Sequence, residues 1–352
     1  MKISNPRSAV FAAALGTLAV GCVLAMPAIA EPVAYKRTLK NINVVQAGVS
    51  GISAGNGSIV VAGVSGTVKS AYLYWHGVNL SGIGATYNDA AITVNGQSVT
   101  GVSQGVASTN CWGNGSSGTY EADVTSLVRG NGTYTLTGLA RNAGDSANGA
   151  SMIVAFDDGI AANNRDYVIF AGNDSSHFDS AFPSDAAGWN AVLEGIEYRG
   201  GVVRASVHAA DGQPFGDSTL TFQTASGTLA IADTTSLWDG VSLRNEGSSR
   251  ASGQGMYDLH SFDITPAFGG AQGPVTLRAT MPAGGDCLAM TSMVFDLEPG
   301  AGPFTTCAAQ GYKGGQLTMC QKICESNLTG SALSGMIKLY VAAYREQPAC
   351  AR

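Results

Sequence analysis

Few residues in this chain are typed and spaced for chemistry. The four histidines, His76, His177, His208 and His260, are scattered, and no H-E-x-x-H, G-x-S-x-G or Cys-His nucleophile pattern joins them. His177 stands apart because Asn173-Asp174-Ser175-Ser176-His177-Phe178-Asp179 gathers several oxygen ligands and an imidazole in one stretch. Asp174, His177 and Asp179 are therefore the candidate metal ligands, and calcium is the ion such oxygens take. The stretch lacks the ordered carboxylate and glycine spacing of a dedicated calcium loop, so a solvated turn is the competing reading. Asp157, Asp158, Glu194 and Glu197 are the obvious acid/base carboxylates, but their spacing defines no pair geometry. No catalytic residue is assigned, and no cofactor is expected beyond that calcium.

Aromatic residues make the better case for binding. Trp112 follows Cys111 and leads into Gly113-Asn114-Gly115-Ser116-Ser117-Gly118, a loop with no evident core role, so a flat platform for a sugar ring or a partner surface is expected there. Packing on a disulfide at Cys111 is the competing role. Trp189 and Tyr72 complete the candidate ligand-binding set, whereas Trp75 and Trp238 are expected in the core.

The elements that position these residues follow from a repeat. Gly144-Asp145-Ser146-Ala147-Asn148-Gly149-Ala150-Ser151-Met152-Ile153-Val154 is echoed at an offset of 141 by Gly285-Asp286-Cys287-Leu288-Ala289-Met290-Thr291-Ser292-Met293-Val294-Phe295. Upstream, Thr133-Tyr134-Thr135-Leu136 faces Pro274-Val275-Thr276-Leu277, and Asp123-Val124-Thr125 faces Asp263-Ile264-Thr265 with one residue of slippage. The fold class this predicts is all-β: two tandem jelly-roll-like β-sandwiches, 31–156 and 157–298, each large enough for its own core. Asp157 to Asn164 is the expected boundary. Asn95-Gly96 predicts a type I′ hairpin inside Ile92 to Val99. From Tyr72 to Trp75 every position is bulky, as in a strand buried on both faces or covered on one by a neighbouring sheet.

The ends of the chain read differently. Lys2 and Arg7, an apolar run from Ala9 to Ile29 and Ala28-Ile29-Ala30 predict a signal peptide, 1–30, cleaved after Ala30, with a secreted, periplasmic or cell-surface destination and no membrane-spanning segment in the mature protein. An uncleaved anchor, or lipidation at Cys22, are the alternatives. Removing those two cations leaves 17 Lys and Arg (19 less 2) against 25 Asp and Glu, a net charge near −8. A charge-poor acidic chain is a poor partner for nucleic acid. With 47 glycines and 12% charged residues, against about 25% in an average domain, the composition suits short strands and tight turns. Oligomeric state is not legible.

Six cysteines remain after cleavage, and an even number in an exported chain predicts disulfides, with zinc at the last four as the alternative. Beyond Pro299-Gly300-Ala301-Gly302-Pro303 a Cys-rich tail, 299–352, carries a short helix over Gln316 to Glu325 and an amphipathic helix behind Thr329-Gly330-Ser331 with Leu333, Met336, Ile337, Tyr340 and Tyr344 on one stripe. Cys320 and Cys324 lie on one helix face and bridge each other poorly, which leaves Cys307 and Cys350 as their partners in either order. By elimination Cys111 pairs with Cys287 and clamps the two sandwiches; two free buried thiols are the competing state.

From Val64 to Leu297 the chain resembles a family of bacterial secreted and cell-surface proteins of uncharacterised function. The resemblance rests on Ser70-Ala71-Tyr72-Leu73-Tyr74-Trp75, Asp123-Val124-Thr125, Ser151-Met152-Ile153-Val154-Ala155-Phe156-Asp157-Asp158 and Asn164-Arg165-Asp166-Tyr167-Val168. It implies two β-sandwich units behind a signal peptide and no catalytic residue. The tail from Gly311 to Cys350 is similar to a Cys-rich module of exported Gram-negative proteins, and no sortase-type anchor follows it. The resulting expectation is a non-enzymatic surface or extracellular protein acting in adhesion or in polysaccharide or protein binding. A secreted hydrolase of glycans or glycoproteins, with its cleft between the sandwiches, and a self-associating structural subunit are the alternatives. Tandem jelly rolls also occur in amidases that strip glycans, a likeness of fold that carries no function.

Overall fold

The computed structural model describes residues 31–107, 113–176, 187–214, 216–233, 237–240, 255–270, 272–284, 286–302, 312–324, 330–345 and 348. Among them the chain is mostly β. Its strands are β1 (Glu31–Ser50), β2 (Asn56–Val61), β3 (Thr67–Asn79), β4 (Ala91–Val94), β5 (Gln97–Thr100), β6 (Val102–Ala107), β7 (Ser117–Asp123), β8 (Gly132–Thr137) and β9 (Asp145–Asp157), followed by β10 (Arg165–Ser176), β11 (Trp189–Tyr198), β12 (Arg204–Ala210), β13 (Leu220–Gln223), β14 (Thr228–Ile231), β15 (Tyr257–Asp263), β16 (Gly273–Met281) and β17 (Leu288–Leu297). Two helices, α1 (Gly314–Cys324) and α2 (Gly330–Tyr344), close the chain. No described helix is long and apolar enough to cross a membrane.

A nine-stranded sheet runs β15-β12-β17-β10-β1-β9-β3-β7-β6, and two four-stranded sheets run β2-β8-β4-β5 and β11-β16-β13-β14. The strand orders correspond. Within the large sheet β9 lies between β1 and β3, as β17 lies between β10 and β12. Met152 stands opposite Ala47 and Leu73, and Met293 opposite Phe170 and Val207. Each methionine is buried in its own core, one beneath β2-β8-β4-β5 and the other beneath β11-β16-β13-β14.

β1 joins the two halves. Its first part, to Ile42, pairs with β10, and from Asn43 it pairs with β9. The handover is a bulge at Asn41, which takes φ 50°, a left-handed conformation that asparagine tolerates better than most residues. Asp166 Oδ1 accepts the Asn41 N–H at 2.9 Å, and the Asn164 amide donates to the Asn41 carbonyl at 2.9 Å.

Around β1 the large sheet folds back on itself. Tyr74 and Ile153 meet Tyr167, Ile169, Ala171 and Val294 in a third apolar cluster between its two wings. Strands there have two buried faces, so side chains alternate between destinations: Met152 and Val154 enter one core while Ile153 enters the middle layer, and Met293 and Phe295 enter the other core while Val294 meets Ile153. That is why Ala150 to Phe156 and Leu288 to Phe295 read as unbroken buried runs. The predicted hairpin is present, with Asn95 at φ 48°, Gly96 at φ 75° and Val94 opposite Gln97. In the tail, Cys320, Ile323 and Tyr340 form a small core flanked by Tyr312, Met336 and Tyr344.

Candidate functional site

Tyr72, from β3, lines a surface groove of about 510 Å³ together with Leu39, Lys40, Ile42, Lys69 and Asp123. The alternation of β3 sends Leu73 into the core and leaves Tyr72 half-buried beside the middle layer. Its ring is fixed by Arg37, whose guanidinium carbon lies 3.7 Å from the ring centroid and whose charge pairs with Glu121. Burial lowers the Lys40 amine below its ordinary pKa, against the pull of Asp166. Lys69 pairs with Asp157 at 3.5 Å in an exposed setting. An aromatic ring, aliphatic side chains, amines and a carboxylate around one concave wall can hold a polyhydroxylated ligand. A wider depression of about 740 Å³ beside Gln223, Gln272 and Arg278 has no aromatic in its lining.

A second constellation occupies the ends of β9 and β17. Asp145 opens β9 and meets Asp89, which lies just before β4; Asp286 lies just before β17 and meets Asp217, which lies just before β13. Burial raises Asp217 to about 8, with Asp286 and Asp233 adding to it. Burial also raises Asp286 to about 7, against the backbone N–H groups of Cys287 and Gln213. Asp211, at the end of β12, is likewise pushed to about 7 by burial and by Asp286, while the Asn148 amide donates to its Oδ1 at 3.0 Å. Carboxyl groups tuned to neutrality suit acid/base work in principle. Here Oδ2 of both Asp217 and Asp286 is buried, so a substrate the size of a sugar does not reach them.

Between the wings lies a sealed polar layer. Ser151 Oγ is 2.7 Å from His208 Nδ1 and 3.0 Å from the Tyr257 hydroxyl, and His208 Nε2 is 2.8 Å from Gln46 Oε1. His76 Nδ1 is 3.1 Å from Asn148 Oδ1, and burial lowers the His76 imidazole to about 4 despite hydrogen bonds to Asn148 and Asn173. Ser151, His76 and His208 are fully buried, so this serine and histidine set is structural.

The remaining sequence candidates separate. Trp189 is 1% exposed and packs edge-on to Trp238, with ring centroids 5.4 Å apart inside the second core. Trp75 and Trp238 are fully buried, as expected. Asp174 is buried in β10 and accepts the Asn190 N–H at 3.0 Å. His177, Asp179, Trp112, Cys111, Cys307 and Cys350 lie outside the described residues. Among the described residues no group of three or more His, Cys, Asp or Glu is arranged to hold a metal ion. Cys287 and Cys320 are each disulfide-bonded, and Cys324 ends α1. Asp157 ends β9, Asp158 follows it, and Glu194 and Glu197 lie on β11 in an outer sheet, so these four carboxylates form no site. Asp89, Asp211 and Asp217 went unnoticed in the sequence because loops distant in the chain bring them to the two corners; the Gly-Asp repeat was the one available signal.

No family model matches the chain, and no curated protein matches it. Among solved structures it is similar to one described as the atomic structure of Sulfolobus turreted icosahedral virus, at 10% identity over 88% of this chain and 98% of that one, TM-score 0.25. It is also similar to BuGH86 in complex with neoagarooctaose, at 12% identity over 74% of this chain and 33% of that one, TM-score 0.22. A third is peptide-N(4)-(N-acetyl-β-D-glucosaminyl) asparagine amidase, at 12% identity over 73% of this chain and 96% of that one, TM-score 0.24. Likeness at this level says nothing of what this chain binds or does.

Proposed function

We propose that this is an exported, non-enzymatic protein in which one β-sandwich unit is repeated in tandem, and that it binds polysaccharide through the groove at Tyr72. The observation that carries the binding role is the groove itself, an aromatic side chain held rigid by Arg37 beside Leu39, Ile42, Lys40 and Lys69. The tandem reading is supported by the matching strand orders and by the equivalent stations of Met152 and Met293. In this reading the signal peptide is removed after Ala30, Cys111 bonds to Cys287 as a clamp between the units, and the tail is stapled through Cys320. The clamp is supported by Asn173, whose amide donates at 2.9 Å to Ser117 Oγ, so β7, which follows Cys111 in the sequence, runs beside β10, whose Ser176 stands opposite Leu288. A glycan array probed with the purified protein tests the function: retention on one class of polysaccharide, lost in Tyr72→Ala, supports it. Silence on the array, with an envelope pull-down that is also empty, overturns it.

A further inference from the structure

The two aspartate corners are equivalent in position and unequal in chemistry. In the first, all four carboxylate oxygens have donors. Asn142 Nδ2 sits between the pair, 3.2 Å from Asp89 Oδ1 and 2.8 Å from Asp145 Oδ2. The Arg141 N–H donates to Asp89 Oδ2 at 3.0 Å, and Asn79 Nδ2 donates to Asp145 Oδ1 at 2.7 Å.

At the repeat offset of 141, Arg141 becomes Pro282 and Asn142 becomes Ala283. Proline has no N–H to give and alanine no amide, so the second corner has lost both donors. The carboxylates are still there. Asp286 keeps the Cys287 N–H on Oδ1 at 2.8 Å and has the Gln213 N–H nearby, but its Oδ2 has no hydrogen-bond partner, and neither has Oδ2 of Asp217. Asp286 is 2% exposed, so water is not at hand to make good the loss. A Cβ built on Gly284 would lie 3.4 Å from Ser218 Oγ, so the chain before Asp286 passes close to the loop that carries Asp217. Asp286 is near enough to both Asp217 and Asp211 to raise the pKa of each. Two buried carboxyl oxygens with no donor, at the place where the sister corner holds an amide nitrogen, call for an occupant that brings positive charge.

We propose that Asp217 and Asp286 hold a divalent cation, calcium by its preference for hard oxygen ligands, in the position that Asn142 Nδ2 fills in the first corner. The ion takes its two charged ligands from these carboxylates and completes its shell with neighbouring backbone carbonyls. So low a ligand charge places affinity in the weak range of extracellular calcium modules, on the order of 10⁻⁴ to 10⁻³ M. The site shares no residue with the Tyr72 groove.

Calcium titrated calorimetrically into the chelator-treated protein at pH 7.5, with Tm followed in parallel, tests this. The expected result is one saturable site and a Tm that rises with calcium. Asp286→Asn abolishes both, while Asp89→Asn, in the sister corner, keeps the response. Ala283→Asn, which restores the missing amide, gives a folded protein whose Tm no longer responds to calcium. Absence of heat and of a Tm shift up to about 10 mM calcium overturns the proposal. So does a calcium response that survives undiminished in both Asp286→Asn and Ala283→Asn.

Discussion

Ser151 of β9 and His208 of β12 belong to opposite wings of the folded sheet and meet at 2.7 Å in a layer that excludes solvent. Gln46 and Tyr257 complete the set, so both nitrogens of the imidazole and the serine hydroxyl are engaged. Removing one member strands the others without water to replace it. Ser151→Ala is therefore expected to destabilise the protein by about 1–3 kcal/mol, read from urea unfolding. A change below about 0.5 kcal/mol, the size of an ordinary surface substitution, contradicts the sealed layer.

His76 makes the same layer sensitive to acid. Its folded pKa, near 4, lies below the ordinary 6.5 because burial disfavours the imidazolium. The unfolded chain takes up a proton as pH falls through 6.5 while the folded chain does not, so stability falls between pH 6.5 and 4. The contribution reaches about 3 kcal/mol at the acid end. His76→Gln, which does not titrate, is expected to be flatter than the parent over that window in urea midpoints taken at successive pH values. Parallel curves count against it.

Gly149 shows how closely the wings approach. A Cβ at this position comes 2.3 Å from Tyr257 Cβ and 2.4 Å from its ring. Gly149→Ala therefore forces the wings apart or displaces Tyr257, with an expected cost of about 1–3 kcal/mol in denaturant unfolding. An unchanged midpoint contradicts the packing described.

The disulfide of Cys287 has a partner that chemistry can name. Proteolysis without reduction, followed by mass spectrometry, is expected to yield a peptide pair joining Cys111 to Cys287. A pair joining Cys287 to any tail cysteine contradicts the clamp.

Local signals were legible where one residue type decides one geometry. Asn95-Gly96 marked its hairpin, and the bulky run from Tyr72 marked a covered strand, which proves to have apolar clusters on both faces. The Gly-Asp repeat marked equivalent strands before any sheet was drawn. β1 was not legible, because its 20 residues mix charge and apolar side chains with no single period. The reason is structural: its two parts pair with different partners on either side of Asn41. Trp189 looked available because its neighbours are small and polar, but the period of β11 turns its ring inward with Ala191 and Leu193. The carboxylate corners were hidden for another reason, since Asp89, Asp211 and Asp217 lie far in sequence from the repeat that they serve.

The polysaccharide-binding role at Tyr72 is tested most directly by a glycan array comparing the parent protein with Tyr72→Ala, with Tm measured on both. The account predicts retention of one polysaccharide class by the parent and at least tenfold weaker retention by a Tyr72→Ala protein that stays folded with a lowered Tm, because the half-buried ring lines the groove and also packs on the middle layer beside Arg37. Equal retention by both proteins would contradict it.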